Sequence, residues 1–155
     1  MSIERARAHL ARHGLEGRIM EFAQSSATVE LAAQAVGCEP ARIAKTLSFD
    51  VAGEVALIVF AGDARINNQK FKATFHAKPR MLDAASAEER IGHAVGGVCP
   101  FGVNEGVRIY LDESLRRFDV VYPAAGSSSS AVRLTPEELE SCCEGATWVD
   151  VSKLS

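Results

Sequence analysis

Ile43-Ala44-Lys45-Thr46-Leu47-Ser48-Phe49-Asp50 alternates apolar residues with small or polar ones. A period of two is typical of a β-strand with one buried face. Ile43, Leu47 and Phe49 share one face, and Lys45 has their parity. A lysine on a core-facing side must find an anion, extend to an edge or lose its charge, because desolvating an unpaired ammonium costs several kcal/mol. An anionic ligand in a cleft would resolve this conflict.

Two other interpretations of Lys45 fit the same sequence. The residue stands near the start of its strand, so its stem could lie along apolar neighbours while the ammonium reaches water. A β-bulge could also shift the register by one residue and turn Lys45 outward.

The surrounding sequence predicts the fold class. Residues 51–54 form a tight connection to the nearly continuous apolar run 55–60, which predicts a hairpin with a central second strand. Thr28 is predicted to cap a helix that runs through Val36, with Gly37 just past its end, and two capping boxes are expected, Ser86 with Glu89 and Thr135 with Glu138. Helices and strands alternate irregularly and without a repeat. We therefore expect one compact α/β (α+β) domain over residues 1–155, with a mixed sheet flanked by helices.

Composition narrows the class of protein. The chain has 155 residues, of which 47% are apolar and 24% charged, as in ordinary globular proteins. No run is long enough for a membrane helix and the N-terminus lacks a signal-peptide pattern, so a cytoplasmic protein without membrane contact is expected. The spacing of the cysteines and histidines fits no common metal motif, so neither a metal nor another cofactor is expected.

Charge is unevenly distributed along the chain. The net charge of -3 argues against DNA or general nucleic-acid binding. The segment between Asp63 and Asp83 nevertheless has no acidic residue and contains Arg65, Lys70, Lys72, Lys78 and Arg80. This basic block is a candidate phosphate-facing surface, although a solvated helix face would have the same composition.

Two loops rich in glycine or serine are further candidates for a site. Gly96-Gly97-Val98-Cys99-Pro100-Phe101-Gly102 has a proline near its centre, and Gly126-Ser127-Ser128-Ser129-Ser130 joins two predicted strands. Glycines let a ligand approach backbone N–H and C=O groups closely, and loops on a rigid sheet often carry binding groups. For the serine run a plain connector is the simpler interpretation.

The lysine strand, the apolar hairpin and the Gly96-x-x-x-Pro100 loop, in this order, resemble the YbaK/EbsC family. This superfamily contains the prolyl-tRNA synthetase editing (insertion) domain and its free-standing homologues, which hydrolyse mischarged aminoacyl-tRNA. By this resemblance Lys45 would hold the phosphate or ribose end of the terminal adenosine, and Gly96 and Pro100 would bound the loop that positions the ester and water. The aminoacyl pocket would be formed near Thr46, Gly97, Val98, Cys99, Phe101, Gly126 and Ser128.

An activated ester needs orientation and charge stabilisation more than a strong nucleophile, so the lack of a visible catalytic triad agrees with this chemistry. Cys99 lies in the loop and could in principle attack the ester. A pocket-lining role is favoured, because an unactivated thiol is mostly protonated at neutral pH.

The sequence therefore predicts a trans-editing aminoacyl-tRNA deacylase of translation fidelity, acting on a small amino acid on tRNA for proline or a similar tRNA. Arg65, Lys70, Lys72 and Lys78 would meet the tRNA, prolyl-tRNA synthetase is a candidate partner, and the chain would be a monomer or homodimer. Four serines follow Gly126 where several YbaK-like proteins have arginines, so alanine, serine, threonine, cysteine and small analogues all stay open as the amino acid. The alternatives are a non-catalytic tRNA- or synthetase-binding module and a binder of adenylate-like ligands.

Overall fold

The computed structural model describes residues 2–25, 28–94, 97–143 and 145–154. Its fold is α+β, as predicted. The α-helices are α1 (Ser2–Ala11), α2 (Val29–Val36), α3 (Asn68–Phe75), α4 (Ala84–Ile91) and α5 (Pro136–Cys142). The β-strands are β1 (Ile19–Glu21), β2 (Ile43–Val51), β3 (Glu54–Ala61), β4 (Ala64–Ile66), β5 (Arg108–Asp112), β6 (Tyr122–Pro123), β7 (Ser130–Val132), β8 (Thr147–Val149) and β9 (Ser152–Leu154).

The central sheet is mixed, with the strand order β6-β2-β3-β5-β8. Strands β2 and β3 are antiparallel, while β6, β5 and β8 each join their neighbour in parallel. Two small antiparallel sheets, β1-β7 and β4-β9, complete the strands. The predicted hairpin is confirmed, since Ala52 and Gly53 both have positive φ and form its two-residue turn.

Strand β3 lies at the centre of the core, which its apolar sequence predicted. Residues 55–61 are all buried, and Leu57, Ile58 and Phe60 have no exposed surface. Helix α4 covers Val55 and Leu57 through Ala87 and Ile91. The other large group of core residues includes a series of packed rings, Phe49, Phe71, Phe75 and Tyr110, whose neighbouring centroids are 5.1, 4.6 and 4.9 Å apart.

Two local predictions require correction. Helix α4 begins earlier than the proposed Ser86–Glu89 capping box, because Asp83 is the N-cap and its carboxylate accepts the Ser86 N–H. Strand β2 is covered on both faces, since Ala44 and Ser48 are buried as well as Ile43 and Phe49. The caps at Thr28, Gly37 and Thr135 are confirmed.

Candidate functional site

A cleft of about 260 Å³ opens at the edge of β2. Residues of both faces of the strand line it, so the cleft wraps around the strand edge. The opposite wall is formed by residues of α2 and the segment just before it, by Val98, and by residues in or next to β6 and β7. The lining residues are Thr28, Val29, Ala32, Ile43, Ala44, Lys45, Thr46, Leu47, Val98, Tyr122, Ala124, Ser130 and Ala131. This volume is below the roughly 300–1,000 Å³ of typical drug-sized sites, so the cleft suits a small group.

The cleft lies where the edge of β2 changes partner. Strand β6 pairs with Ile43 and Ala44, and further along Asp50 N–H donates to Arg80 C=O while Ser48 C=O accepts from Leu82 N–H. Main-chain groups two residues apart point to the same side of a strand. The N–H and C=O of Thr46 therefore face the cleft, where a ligand can meet them.

The Thr46 side chain adds a further polar atom at this point. Its Oγ1 is buried and has no hydrogen-bond partner in the described part of the chain. Buried hydroxyls usually have partners, because an unsatisfied one costs about 1–3 kcal/mol. An unsatisfied hydroxyl beside a cleft is consistent with a place where a ligand or water completes the bonding.

Lys45 shares the face of β2 that carries Ile43 and Phe49, as its parity predicted, although the opposite face is buried as well. Its cross-strand partner is Phe60, which is fully buried, and pairing runs without a bulge from Ala44 opposite Ala61 to Val51 opposite Glu54. The bulge alternative is therefore wrong. The side chain is half-buried, and its Nζ donates to the Gly62 C=O at 3.3 Å.

The Gly62 backbone packs so closely against Pro40 that a residue with a side chain would not fit at position 62. A Cβ at Gly62 would lie 2.0 Å from the Pro40 carbonyl oxygen. The turn after β3 thus passes directly against the segment that leads into β2. This close approach sets the position of the group that binds the Lys45 ammonium.

Burial lowers the pKa of Lys45, the nearby Asp63 carboxylate opposes that effect, and Arg65 adds to it. Asp63 is itself occupied, since Arg117 donates to both of its carboxylate oxygens. The ammonium thus has less solvation than an ordinary lysine. An anion in the cleft would stabilise its charged form.

The loop predicted to face Lys45 contributes one described residue to the cleft, Val98. Gly97 is buried against the second loop, and a Cβ there would lie 2.8 Å from the Gly126 carbonyl group. Cys99 and Phe101 are fully buried in the core behind Val98. Gly96 lies outside the described residues.

Pro100 lines a different cleft from Lys45. That cleft also contains His9, His13 and Asn104 and lies against α1. The structure thus brings Lys45, Thr46 and Val98 together and places Gly97 and Gly126 in contact behind them. Cys99, Pro100 and Phe101 support the loop rather than line the Lys45 cleft.

The serine segment contributes Ser130, which the sequence did not single out. Ser130 Oγ accepts the N–H groups of Ala125 and Ser127 and donates to Ser127 C=O, so it organises the turn. Ser128 is exposed, and its carbonyl accepts a hydrogen bond from Ser25 Oγ at 3.5 Å. The one feature of the sequence that indicates a buried Ser130 is its position next to the apolar Ala131 and Val132.

The residues of the basic block lie on the surface. Arg65, Lys70, Lys72 and Lys78 are all exposed. Arg65 is close enough to Lys45 to affect its pKa, and in the β4–β9 register it stands opposite Lys153, a basic residue outside the predicted block. Lys70 instead binds Asp150 and the Ser152 carbonyl, both at 3.0 Å.

Within residues 2–25, 28–94, 97–143 and 145–154, no group of three His, Cys, Asp or Glu side chains is arranged to hold a metal ion. Over the same ranges, every helix is too short or too polar to cross a bilayer.

The fold is shared with a solved structure described as a "putative trans-editing enzyme for prolyl tRNA synthetase". The two chains are 31% identical with a TM-score of 0.88, and the match covers 98% of this chain and 97% of the other. A protein-family model, described as the aminoacyl-tRNA editing domain, matches residues 23–142 of this chain. This chain therefore belongs to the aminoacyl-tRNA editing domain family, as its resemblance to YbaK-like proteins predicted.

Two relatives show the range of the family. The uncharacterized protein YwhH of Bacillus subtilis strain 168 is 48% identical over 154 residues, which cover 99% of this chain and 98% of YwhH. A proline–tRNA ligase of Lysinibacillus sphaericus strain C3-41 is 29% identical over 90 residues, 57% of this chain and 16% of the ligase. The similarity to the ligase thus concerns a small part of that enzyme.

Proposed function

We propose that this protein is a trans-editing deacylase that hydrolyses the ester of a small mischarged amino acid on tRNA. The observation that carries the proposal is that Lys45, the edge of β2 at Thr46 and the loop residue Val98 line one small cleft. The membership in the editing-domain family supports the same activity.

In this proposal Lys45 binds the nucleic-acid side of the ester. Its partly desolvated ammonium pairs with a phosphate or ribose oxygen of the terminal adenosine, which restores the charge stabilisation that burial removes. The Gly62 carbonyl accepts a hydrogen bond from the Lys45 ammonium and so restrains its position. Arg65 and the exposed lysines after it contact the acceptor end of the tRNA, so binding weakens as salt rises.

The aminoacyl group occupies the cleft between Thr46 and Val98. Ala124 and Ala131 give the opposite wall short side chains, which favours a small amino acid. Water adds to the carbonyl carbon, the ester bond to the ribose oxygen breaks, and that oxygen takes a proton as the free amino acid leaves. Backbone groups at the strand edge and in the loop orient the ester and stabilise its developing negative charge.

The test is deacylation of a panel of aminoacyl-tRNAs charged with alanine, serine, threonine, cysteine or proline. tRNA for proline comes first, because a proline–tRNA ligase contains a related segment. We expect at least one ester to be cleared faster than in buffer. Lys45→Met keeps the apolar stem but removes the charge, and should lower the rate about 10²-fold.

Arg108→Ala serves as the control, since Arg108 is exposed on β5 and pairs with Glu54. It should retain the wild-type rate. Clearance of every ester at the buffer rate would contradict the proposal. Tight tRNA binding without turnover would then favour a non-catalytic binding module, and saturable binding of an adenylate analogue without tRNA affinity would favour a nucleotide-like ligand.

A further inference from the structure

A single peptide group at the end of the candidate loop is bound by two histidines. The C=O of Phe101 accepts a hydrogen bond from His93 Nε2 at 2.6 Å. The N–H of Gly102 donates to His9 Nδ1 at 3.0 Å. These two polar groups belong to the same peptide unit, so both of its hydrogen-bonding positions are occupied by imidazole rings.

The two bonds require defined tautomers. His9 must be unprotonated at Nδ1 to accept the Gly102 N–H, and its Nε2–H then donates to the Cys142 carbonyl at 2.6 Å. His93 must carry its proton on Nε2 to donate to Phe101. His93 is fully buried, and its Nδ1 has no partner among the described residues. Both rings are therefore neutral in this arrangement.

Helix α1 fits tightly against the same peptide. Gly102 has a φ of +65°, and a Cβ there would lie 2.5 Å from the Arg5 carbonyl oxygen. The Arg5 guanidinium continues the contact by donating to Asn104 Oδ1 at 2.9 Å. Helix α1 lies outside residues 23–142, which the editing-domain model matches.

We propose that His9 and His93 are positioning residues that fix the end of the loop, so that Val98 and the neighbouring backbone stand correctly in the Lys45 cleft. This inference rests on the proposed function for its catalytic consequence. The histidines do not touch the substrate. They act through the Phe101–Gly102 peptide, which follows Pro100 directly.

Paired substitutions separate hydrogen bonding from packing. His93→Gln can still donate from its amide to Phe101, whereas His93→Leu fills the space without a donor. His9→Asn can still accept from Gly102, whereas His9→Leu cannot. His76→Asn, at the left-handed end of α3, is the control, because asparagine tolerates that backbone conformation.

The first readout needs no substrate. Hydrogen exchange of the Gly102 amide should be slow in the wild type, His9→Asn and His76→Asn, and clearly faster in His9→Leu. Nitrogen-15 NMR of the rings should show a proton on Nε2 of both histidines. Equal Gly102 protection in His9→Leu, or a proton on Nδ1 of either ring, would overturn the inference.

The second readout is the split between kcat and KM on the aminoacyl-tRNA that the wild type clears. His93→Leu should lower kcat about 10²-fold, as expected for a misplaced reacting group. KM should change less than about twofold, and His93→Gln should recover most of the rate. A folded His93→Leu with wild-type kcat would contradict the inference. An inactive wild type would instead contradict the proposed function, and Gly102 exchange would still decide whether the histidines hold the loop.

Discussion

Cys99 lies in the candidate loop, yet its surroundings suit packing and not nucleophilic attack. The side chain is fully buried, and burial raises the pKa of its thiol to about 12. Its nearest imidazole nitrogen is His93 Nε2 at 3.6 Å. That nitrogen carries the proton donated to Phe101, so it cannot accept the proton of the thiol.

Replacing Cys99 with serine should therefore leave deacylation within about threefold of the wild-type rate, since the thiol is not among the reacting groups. The serine hydroxyl can donate to the Phe101 carbonyl, and the buried polar atom should cost about 1–2 kcal/mol of stability. Initial rates and urea unfolding measure the two effects. Loss of activity together with an acyl-enzyme adduct trapped on wild-type Cys99, seen by mass spectrometry, would contradict this expectation.

The residue before Val98 lies where two loops are in contact. Gly97 packs against the backbone of Gly126 and Ser127, and a Cβ at Gly97 would lie 2.8 Å from both residues. Gly97→Ala should push the loops apart, since neither backbone segment can yield as a flexible side chain would. We expect a loss of about 1–3 kcal/mol of stability and a marked fall in kcat.

Gly17→Ala is a matched control, because a Cβ at Gly17 meets no atom within 4 Å. That substitution should be neutral or slightly stabilising through its effect on the unfolded chain. Deacylation rates and urea midpoints compare the two variants. Identical behaviour of the two would show that the contact between the loops does not govern the cleft.

The ends of helices were predicted correctly where a single capping residue determines them. Thr28, Gly37 and the Thr135–Glu138 box were recognised because their side chains or φ angles act within one turn of helix. The predicted start of α4 was wrong because Asp83 and Ser86 are both good N-cap residues, and the helix begins after the earlier one. The short strands β4 and β9 were not predicted, because each is a strand only through its pairing with the other.

At the scale of the whole molecule, the sequence alone predicted the position of Lys45 on its strand but not its surroundings. The carbonyl that it binds is fixed by contact between Gly62 and Pro40. The peptide after Pro100 is bound by His9, which is remote in sequence. Such contacts follow from the packing of helices and loops on the sheet, and a periodic pattern contains no information about them.

Stability against acid is the property of the whole molecule that these contacts predict. Hydrogen bonds from Arg117 to Asp63 and from Arg42 to Asp119 lower the pKa of each carboxyl group. Burial lowers the pKa of His93, Arg5 adds to that effect, and the hydrogen bond to Phe101 opposes it. All three groups bind protons more weakly in the folded chain than in the unfolded chain.

The free energy of unfolding should therefore decrease as the pH is lowered, in two pH ranges. Below about pH 6.5 the unfolded chain takes up a proton at His93 that the folded chain does not, and below about pH 4 the same holds for Asp63 and Asp119. Urea unfolding followed by the single tryptophan, Trp148, measures the free energy of unfolding across this range. His93→Gln should reduce the loss of stability in the upper range, and Asp63→Asn should reduce it in the lower one. A free energy of unfolding that stays constant from pH 7 to pH 3, or a loss in the upper range that is as large in His93→Gln as in the wild type, would contradict the assignment of these groups.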